Sequence, residues 1–199
     1  CSGITTFPLI DTSSATNFTN TWNGCTGLTT FPLINTSNVT IFGGAWRDCS
    51  GLTGTFPSID TSNGTSFSSS WRNCTGLTTF PVLDTSSGTS FLNAWNGCSG
   101  LTSFPLIDVS SATDIRFAWQ DCTGLTTFPQ INPSSVTLFN STWQGCTGLT
   151  TFPLIDTSSG TNFLSTWNGC RALTSFPALN FSNGTSFNST WRTCRDIVE

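Results

Sequence analysis

The sequence contains no lysine, histidine, tyrosine or methionine, and only 8% of its 199 residues are charged. Without histidine, neither a Ser-His-Asp nor a Cys-His arrangement can form, and without lysine there is no Schiff base or phosphate-loop lysine. Half of the ten acidic residues fall at one recurring position, which argues against paired catalytic carboxylates. We therefore expect a non-enzymatic protein that needs no cofactor.

Other absences limit the partners and the location of the chain. The net charge of −4 and the lack of lysine remove the attraction to phosphate that dominates nucleic-acid affinity, so we expect no nucleic-acid partner. No apolar run approaches the ~18 residues of a spanning helix, so we expect no membrane span. Because position 1 is Cys rather than Met, we expect a processed product or a segment of a longer chain, with any signal peptide outside it.

The residues that are abundant form a repeat. Seventeen Phe and eight Trp are too many for a disordered chain, and Cys recurs every 24 residues except for one interval of 25. Positions in the repeat are called columns one to twenty-four, counted from the Cys, and the extra residue, Gly54, stays outside the count as a loop or bulge. A single solenoid over residues 1–194 is predicted, with a ninth coil or a tail over 194–199. Its eight repeats are 1–24, 25–48, 49–73, 74–97, 98–121, 122–145, 146–169 and 170–193.

The apolar columns predict the core. Column four is Leu or Ile, column seven is Phe followed by Pro, column ten is Ile or Leu, and column twenty-two is always Trp. Column eighteen is Phe except for Ile115 in the fifth repeat. One unit cannot bury enough surface to fold alone, so the repeats must stack. The predicted core ladder includes Cys25, Cys49, Cys74, Cys98, Cys122, Cys146, Trp22, Trp46, Trp71, Trp95, Trp119, Trp143, Trp167, Trp191, Phe31, Phe80, Phe128 and Phe152.

Each repeat also predicts its local structure. Leu-Thr-Thr-Phe has the composition of a short parallel strand, which the following Pro ends. Asp-Thr-Ser-Ser-Gly is typical of a turn. The Phe and Trp of columns eighteen and twenty-two, four residues apart, would share one face of a short helical turn, with the column-sixteen Thr as its N-cap.

Two motifs together resemble a known family. The pattern C-x-x-L-x-x-F, followed by V-T-x-F-x-x-A-W-x-x-C as in 39–49, is similar to the repeats of BspA-like leucine-rich-repeat surface proteins. The resemblance implies a leucine-rich-repeat solenoid, displayed on a cell or virion surface and acting in adhesion. The chain departs from the family where Pro follows the strand Phe, and where Phe and Trp replace the usual Met or Ile and Phe.

The cysteines and the Asp or Asn residues of column eleven each have alternative structural roles. The nine Cys could form a buried column of thiols or disulfides between adjacent coils, whereas C-x-x-C spacing and histidine, which a metal site would need, are missing. Cys1 either opens the first repeat or is a lipid-modified N-terminus. The Asp or Asn of column eleven would cap its own turn or bridge calcium, and we expect the turn-capping role.

Threonine and asparagine supply the candidate surface sites. Thr occupies column five in every repeat and most of column six, which gives a solvated strand face or an ice-binding threonine ladder. The candidate binding face is Thr29, Thr30, Thr78, Thr79, Thr126, Thr127, Thr150 and Thr151. Candidate glycosylation sites of the form Asn-x-Ser/Thr are Asn17, Asn35, Asn38, Asn63, Asn73, Asn140, Asn180, Asn183 and Asn188.

These features predict an extracellular, surface-exposed scaffold that binds glycans or proteins. Neither end of the stack has the polar cap that repeat proteins use, which favours as an alternative a structural filament subunit joined end to end. An ice-binding solenoid is a third interpretation.

Overall fold

The computed structural model describes residues 2–194; Cys1 and the predicted ninth coil or tail beyond Cys194 lie outside the described residues. Each repeat forms one coil, and coils 1 to 8 follow the eight repeats in order. Successive Trp rings of column twenty-two lie 5.3–5.9 Å apart, with planes within 4–9° of parallel. This spacing is close to the ~4.8 Å between paired strands, so the coils stack directly on one another. The prediction of a repeat solenoid is confirmed.

Regular strands are scarce. Strand β1, Gly54–Thr55, pairs in parallel with strand β2, Leu77–Thr79, and the register slips between the two residues of β1. Elsewhere in the described residues the coils are joined by single parallel bridges. Column six forms two of them, whereas column seventeen forms an unbroken ladder through Asn17, Ile41, Ser66, Ser90, Asp114, Leu138, Asn162 and Ser186. The prediction of a strand at Leu-Thr-Thr-Phe in every coil is therefore wrong for most coils.

The predicted helical turn between columns eighteen and twenty-two is also wrong. In coil 2, the N–H groups of Phe42 and Trp46 donate to carbonyl oxygens of coil 3, both at 2.8 Å. The intervening N–H group of Ala45 donates to the carbonyl of Phe42, three residues back, at 2.9 Å. The N–H group of Gly44 also donates to coil 3, at 2.8 Å, so most of the N–H groups in this segment bond across coils, where a helix would use every N–H internally.

Left-handed residues explain why this segment cannot be helical. Columns twenty and twenty-four have positive φ in every coil, from Asn20 at 55° and Gly24 at 72° to Ser189 at 58° and Thr193 at 65°. A helix has no place for such residues, which are disfavoured except in Gly and, to a lesser degree, Asn or Asp. The four-residue spacing of Phe and Trp therefore reflects two consecutive tight turns, each advancing the chain by two residues.

The core is a set of columns that run the length of the stack. Every cysteine from Cys25 to Cys170, and every Trp from Trp22 to Trp167, is at most 3% exposed. Of the predicted ladder residues, only Trp191 in coil 8 is half-buried. Phe rings of column seven stack 5.7–6.2 Å apart and meet the Trp rings edge-on, as Phe56 meets Trp46 at 4.8 Å. The buried aromatic rings are therefore in contact from coil to coil.

Threonine hydroxyls add bonds between coils on both sides of the core. The buried hydroxyl of Thr36 donates to the carbonyl oxygen of Asp60 in the next coil at 2.5 Å. In column sixteen, the hydroxyl of Thr89 donates to the carbonyl oxygen of Thr65 in the preceding coil at 3.1 Å. The predicted N-cap role of column sixteen is thus wrong, because these side chains bond a neighbouring coil instead of beginning a helix.

Candidate functional site

The candidate binding face lies on one side of the stack. All eight of its predicted Thr side chains are exposed. In column five the hydroxyl also bonds the preceding coil: that of Thr126 donates to the carbonyl oxygen of Thr102 at 3.3 Å, and that of Thr150 donates to Thr126 at 3.1 Å. These bonds hold the column-five hydroxyls in one orientation, so the face is an ordered surface.

A second exposed column, which the sequence interpretation missed, runs beside the threonines. Column nine carries Leu9, Leu33, Val82, Leu106 and Leu154, whose side chains are 56–75% exposed, whereas column ten is buried in coils 2 to 8. In coils 3, 6 and 8, the N–H of column ten donates to the Pro carbonyl two residues back, at 2.9 Å. In these three coils the column-nine residue, which is Ser58, Gln130 or Ala178, is the centre of a γ-turn and is exposed. We call columns five, six and nine together the outer face.

The outer face carries no charge. Columns five to nine contain no Asp, Glu or Arg in any coil. The carboxylates and amides of column eleven border the face, and a shallow groove of about 400 Å³ lies there, lined by Leu106, Ile107, Asp108, Gln130 and Asn132. Apolar side chains in the centre with polar groups at the edge are the usual arrangement of a binding surface.

The border residues of column eleven cap their own turns. The carboxylate of Asp84 accepts hydrogen bonds from the hydroxyl of Ser86 at 2.7 Å and from its backbone N–H at 3.1 Å. These bonds, the hydroxyl first, lower the pKa of Asp84 from its ordinary value. The turn-capping interpretation is confirmed. Within residues 2–194, no group of three or more Cys, Asp or Glu side chains is placed to hold a metal ion.

The cysteines from Cys25 to Cys194 are free thiols. Each thiol from Cys49 onward donates to the carbonyl oxygen of a column-twenty-two Trp that lies 27 or 28 residues earlier in the chain. The thiol of Cys98, for example, donates to the carbonyl oxygen of Trp71 at 3.0 Å. Burial raises the pKa of Cys98 to about 12. A hydrogen bond with the backbone of Cys74 lowers the pKa of Cys98, but this effect is smaller than that of burial. The thiol column therefore links coils and is protected from ionisation.

The candidate glycosylation sites differ in accessibility. Seven of them are exposed, and two, Asn73 and Asn140, are half-buried. The amide nitrogens of Asn38, Asn63 and Asn183 donate to a Ser carbonyl of the preceding coil at 2.7–2.8 Å. The same nitrogen would carry the glycan, so glycosylation at these three sites would compete with an inter-coil bond.

The described residues contain no helix long and apolar enough to cross a membrane. No protein-family model matches the chain, and neither does any curated protein. Among solved structures, the chain is similar to a leucine-rich repeat protein from Bacteroides ovatus, at 16% identity and a TM-score of 0.34. The match covers 88% of this chain and 61% of that chain.

Proposed function

We propose that the chain is a non-enzymatic binding scaffold of the BspA-like leucine-rich-repeat type, which acts outside the cell by holding a glycan or a protein on its outer face. The observation that carries this proposal is the exposed aliphatic column nine beside the ordered threonines. Column nine is aliphatic and strongly exposed in five coils, and two pairs of these residues, Leu9 with Leu33 and Val82 with Leu106, lie in neighbouring coils. Soluble proteins commonly expose single apolar side chains, but exposed apolar side chains that neighbour one another are typical of an interaction surface.

A neutral glycan fits this surface best. The outer face has no charged group to attract or to desolvate, so the partner is expected to be uncharged. Aliphatic side chains such as Leu106 can pack against the C–H groups of a sugar, while threonine hydroxyls such as Thr126 can bond its hydroxyls.

The free cysteines are compatible with the proposed extracellular location because they are buried. Free thiols are oxidised easily outside the cell when they are exposed and ionised. Cys74, Cys98 and Cys122 are fully buried, and burial raises the pKa of each thiol. The column can therefore stay reduced in an oxidising environment.

A glycan array with matched variants tests the proposal. The double variant Leu106→Ser/Leu154→Ser removes two side chains of column nine. We expect the Kd to rise at least tenfold, because a Leu side chain that becomes buried on binding contributes about 1.5–3 kcal/mol. Leu164→Ser is the control, because Leu164 is also exposed, at 36%, but lies in column nineteen. Unchanged binding by the double variant would show that the partner, if one binds, contacts another surface.

End-to-end self-association is a second candidate, favoured by the end coils. In coil 1, Ile4 and Ile10 are each 41% exposed, whereas columns four and ten of coils 2 to 7 are at most 4% exposed. In coil 8, Phe187 is 38% exposed. These surfaces can accept one more coil, from the same chain or from a second copy.

Sedimentation velocity over a wide range of protein concentrations tests this second candidate. We expect concentration-dependent growth in the wild-type chain and its loss in Ile4→Asp, because a charge at the exposed apolar end opposes stacking. Leu33→Asp, on the outer face, is the control. A species that stays monomeric at every concentration would contradict self-association.

A further inference from the structure

The single insertion in the repeat forms a bulge on the outer face, with a register shift between Gly54 and Thr55. Gly54, with φ at +71°, lies between Thr53 and Thr55, and a side chain built on it would have no neighbour within 4 Å. Strand β1 pairs forward with coil 4 through a register slip, while column six of coil 2 has no bridge to coil 3 within the described residues. Column six also lacks a bridge between coils 4 and 5, coils 5 and 6, and coils 6 and 7 within the described residues, and the N–H of Thr53 still donates to the carbonyl oxygen of Thr29 at 3.1 Å. The insertion is therefore a local bulge on the outer face, and coils 2 and 3 stay hydrogen-bonded beside it.

A cavity of about 220 Å³ lies beside this bulge. Its lining combines exposed threonines at the rim with buried apolar side chains at the floor. The nine lining residues are Thr29, Thr30, Phe31, Leu52, Thr53, Thr55, Phe56, Pro57 and Leu77. None is charged, and the cavity is smaller than the ~300–1,000 Å³ that hold drug-sized ligands, so a small neutral ligand fits its chemistry and size.

One rim hydroxyl is available for a ligand. Thr29 donates to the carbonyl oxygen of Thr5 at 3.1 Å, and the hydroxyls of Thr55 and Thr79 bond each other at 2.5 Å. Within residues 2–194, the hydroxyl of Thr30 has no such partner, and that of Thr53 reaches the carbonyl of Thr29 only at 3.5 Å. The rim can thus exchange hydrogen bonds with a polyhydroxylated ligand without breaking the ladder.

We propose that this cavity binds one pyranose ring of a neutral glycan. The inference rests on the proposed role in glycan binding, but it uses residues other than the leucines of column nine. The ring would place its C–H groups over Leu52 and Phe56 and its hydroxyls against Thr30 and Thr53. A β-bulge is a device by which proteins shape a site.

Changing the insertion tests the proposal. Deleting Gly54 restores the 24-residue period and removes the bulge beside the cavity, and inserting a Gly between Thr102 and Ser103 of coil 5 creates a second bulge. The probes are methyl pyranosides of glucose, galactose, mannose and N-acetylglucosamine, followed by saturation-transfer NMR and calorimetry. We expect one site in the wild type, none after the deletion and two after the insertion. Equal binding before and after the deletion, or no saturation transfer from the wild type to any of the probes, would overturn the proposal.

A point variant keeps the proposal testable if the deletion disturbs folding. Thr30→Val preserves the shape of the rim but removes its free hydroxyl, so Kd should rise about fivefold to tenfold, as expected for one lost hydrogen bond. Unchanged affinity in Thr30→Val would also count against the site. The Leu106→Ser/Leu154→Ser variant should still bind the single pyranoside, whereas its loss of array binding belongs to the outer face, so the two proposals fail separately.

Discussion

The glycine of column three allows each coil to lie against the coil before it. A methyl group at Gly51 or Gly100 would overlap a backbone carbonyl of the preceding coil, that of Thr26 or Thr75. At Gly148 the nearest carbonyl oxygen, that of Thr123, would be 2.8 Å from such a methyl group. The space between column three and the preceding coil thus increases towards coil 8, where Ala172 occupies this column.

We predict that Gly100→Ala destabilises the stack more than Gly148→Ala does. The backbone carbonyls at Gly100 cannot rotate away, so the free energy of unfolding should fall by about 1–3 kcal/mol, the usual cost of overpacking. The effect at Gly148 should be smaller, because a shorter shift relieves the contact. Urea denaturation followed by Trp fluorescence measures both, and equal losses would contradict the close approach at Gly100.

At the scale of the structural element, the core columns could be predicted because their chemistry hardly varies. Column twenty-two is Trp in every coil, and its side chain is buried in coils 1 to 7. The turn between columns eighteen and twenty-two could not be predicted from spacing, because four residues fit both a helix and two tight turns. The missed signal was the composition of column twenty-four, which is Gly, Asn or Asp in coils 1 to 7 and has positive φ, as at Gly24 and Asp48. Column twenty also has positive φ but gives no such signal, because it is Ser in four coils and Phe117 in coil 5.

The outer face was predicted only in part, for a related reason. The threonines stand out because they repeat, whereas column nine varies among Leu, Ser, Val, Gln and Ala and so resembles an unimportant position. Column nine varies between two conserved columns of the repeat, the Pro of column eight and the Ile or Leu of column ten. This variation was the available sign that column nine is exposed. The cavity at Gly54 could not be predicted, because a cavity depends on how two coils separate.

Trp95→Ala tests the buried aromatic column. Trp95 is 1% exposed and stacks on Trp71 at 5.6 Å and on Trp119 at 5.3 Å. We expect the free energy of unfolding to fall by about 3–5 kcal/mol, as for other large-to-small core changes. Leu106→Ser is the control and should change it by less than about 0.5 kcal/mol. Similar values for the two variants in chemical denaturation would refute the assignment of Trp95 to the core.

The thiol column predicts a loss of stability in alkali. An unfolded Cys ionises from its ordinary value of 9.0, but burial raises the pKa of Cys98 to about 12. The thiol contribution is therefore complete below about pH 9 and is lost as the pH rises towards 12. In this range each such thiol should lower the free energy of unfolding by about 1.4 kcal/mol per pH unit.

Urea denaturation at increasing pH, in the presence of a reductant, measures this slope. Cys98→Ala should have a slope smaller by the contribution of one thiol, and Thr126→Val, on the outer face, should leave the slope unchanged. A free energy of unfolding that does not vary between pH 9 and pH 11 would contradict the burial of the thiols.

At the scale of the whole molecule, stacking turns the three uncharged columns of the outer face into a long neutral surface. Eight coils at about 5 Å each give an outer face of about 40 Å. Binding on such a face should not depend on salt. We expect the Kd of a neutral glycan to stay within about twofold as the ionic strength rises from ~0.1 M to ~1 M, although the Debye length falls from ~10 Å to ~3 Å. Calorimetry at both salt concentrations measures it, and a steep weakening would indicate a charged contact elsewhere.

The length of the bound glycan tests the central proposal, a binding face that continues over successive coils. The measurement is the Kd of an oligosaccharide series built from the sugar that the array identifies. If neighbouring coils each contribute contacts, affinity should rise at least tenfold from the monosaccharide to an oligomer that spans several coils, because the later contacts form within one complex. The same Kd for every length, from one sugar upward, would contradict a continuous outer face.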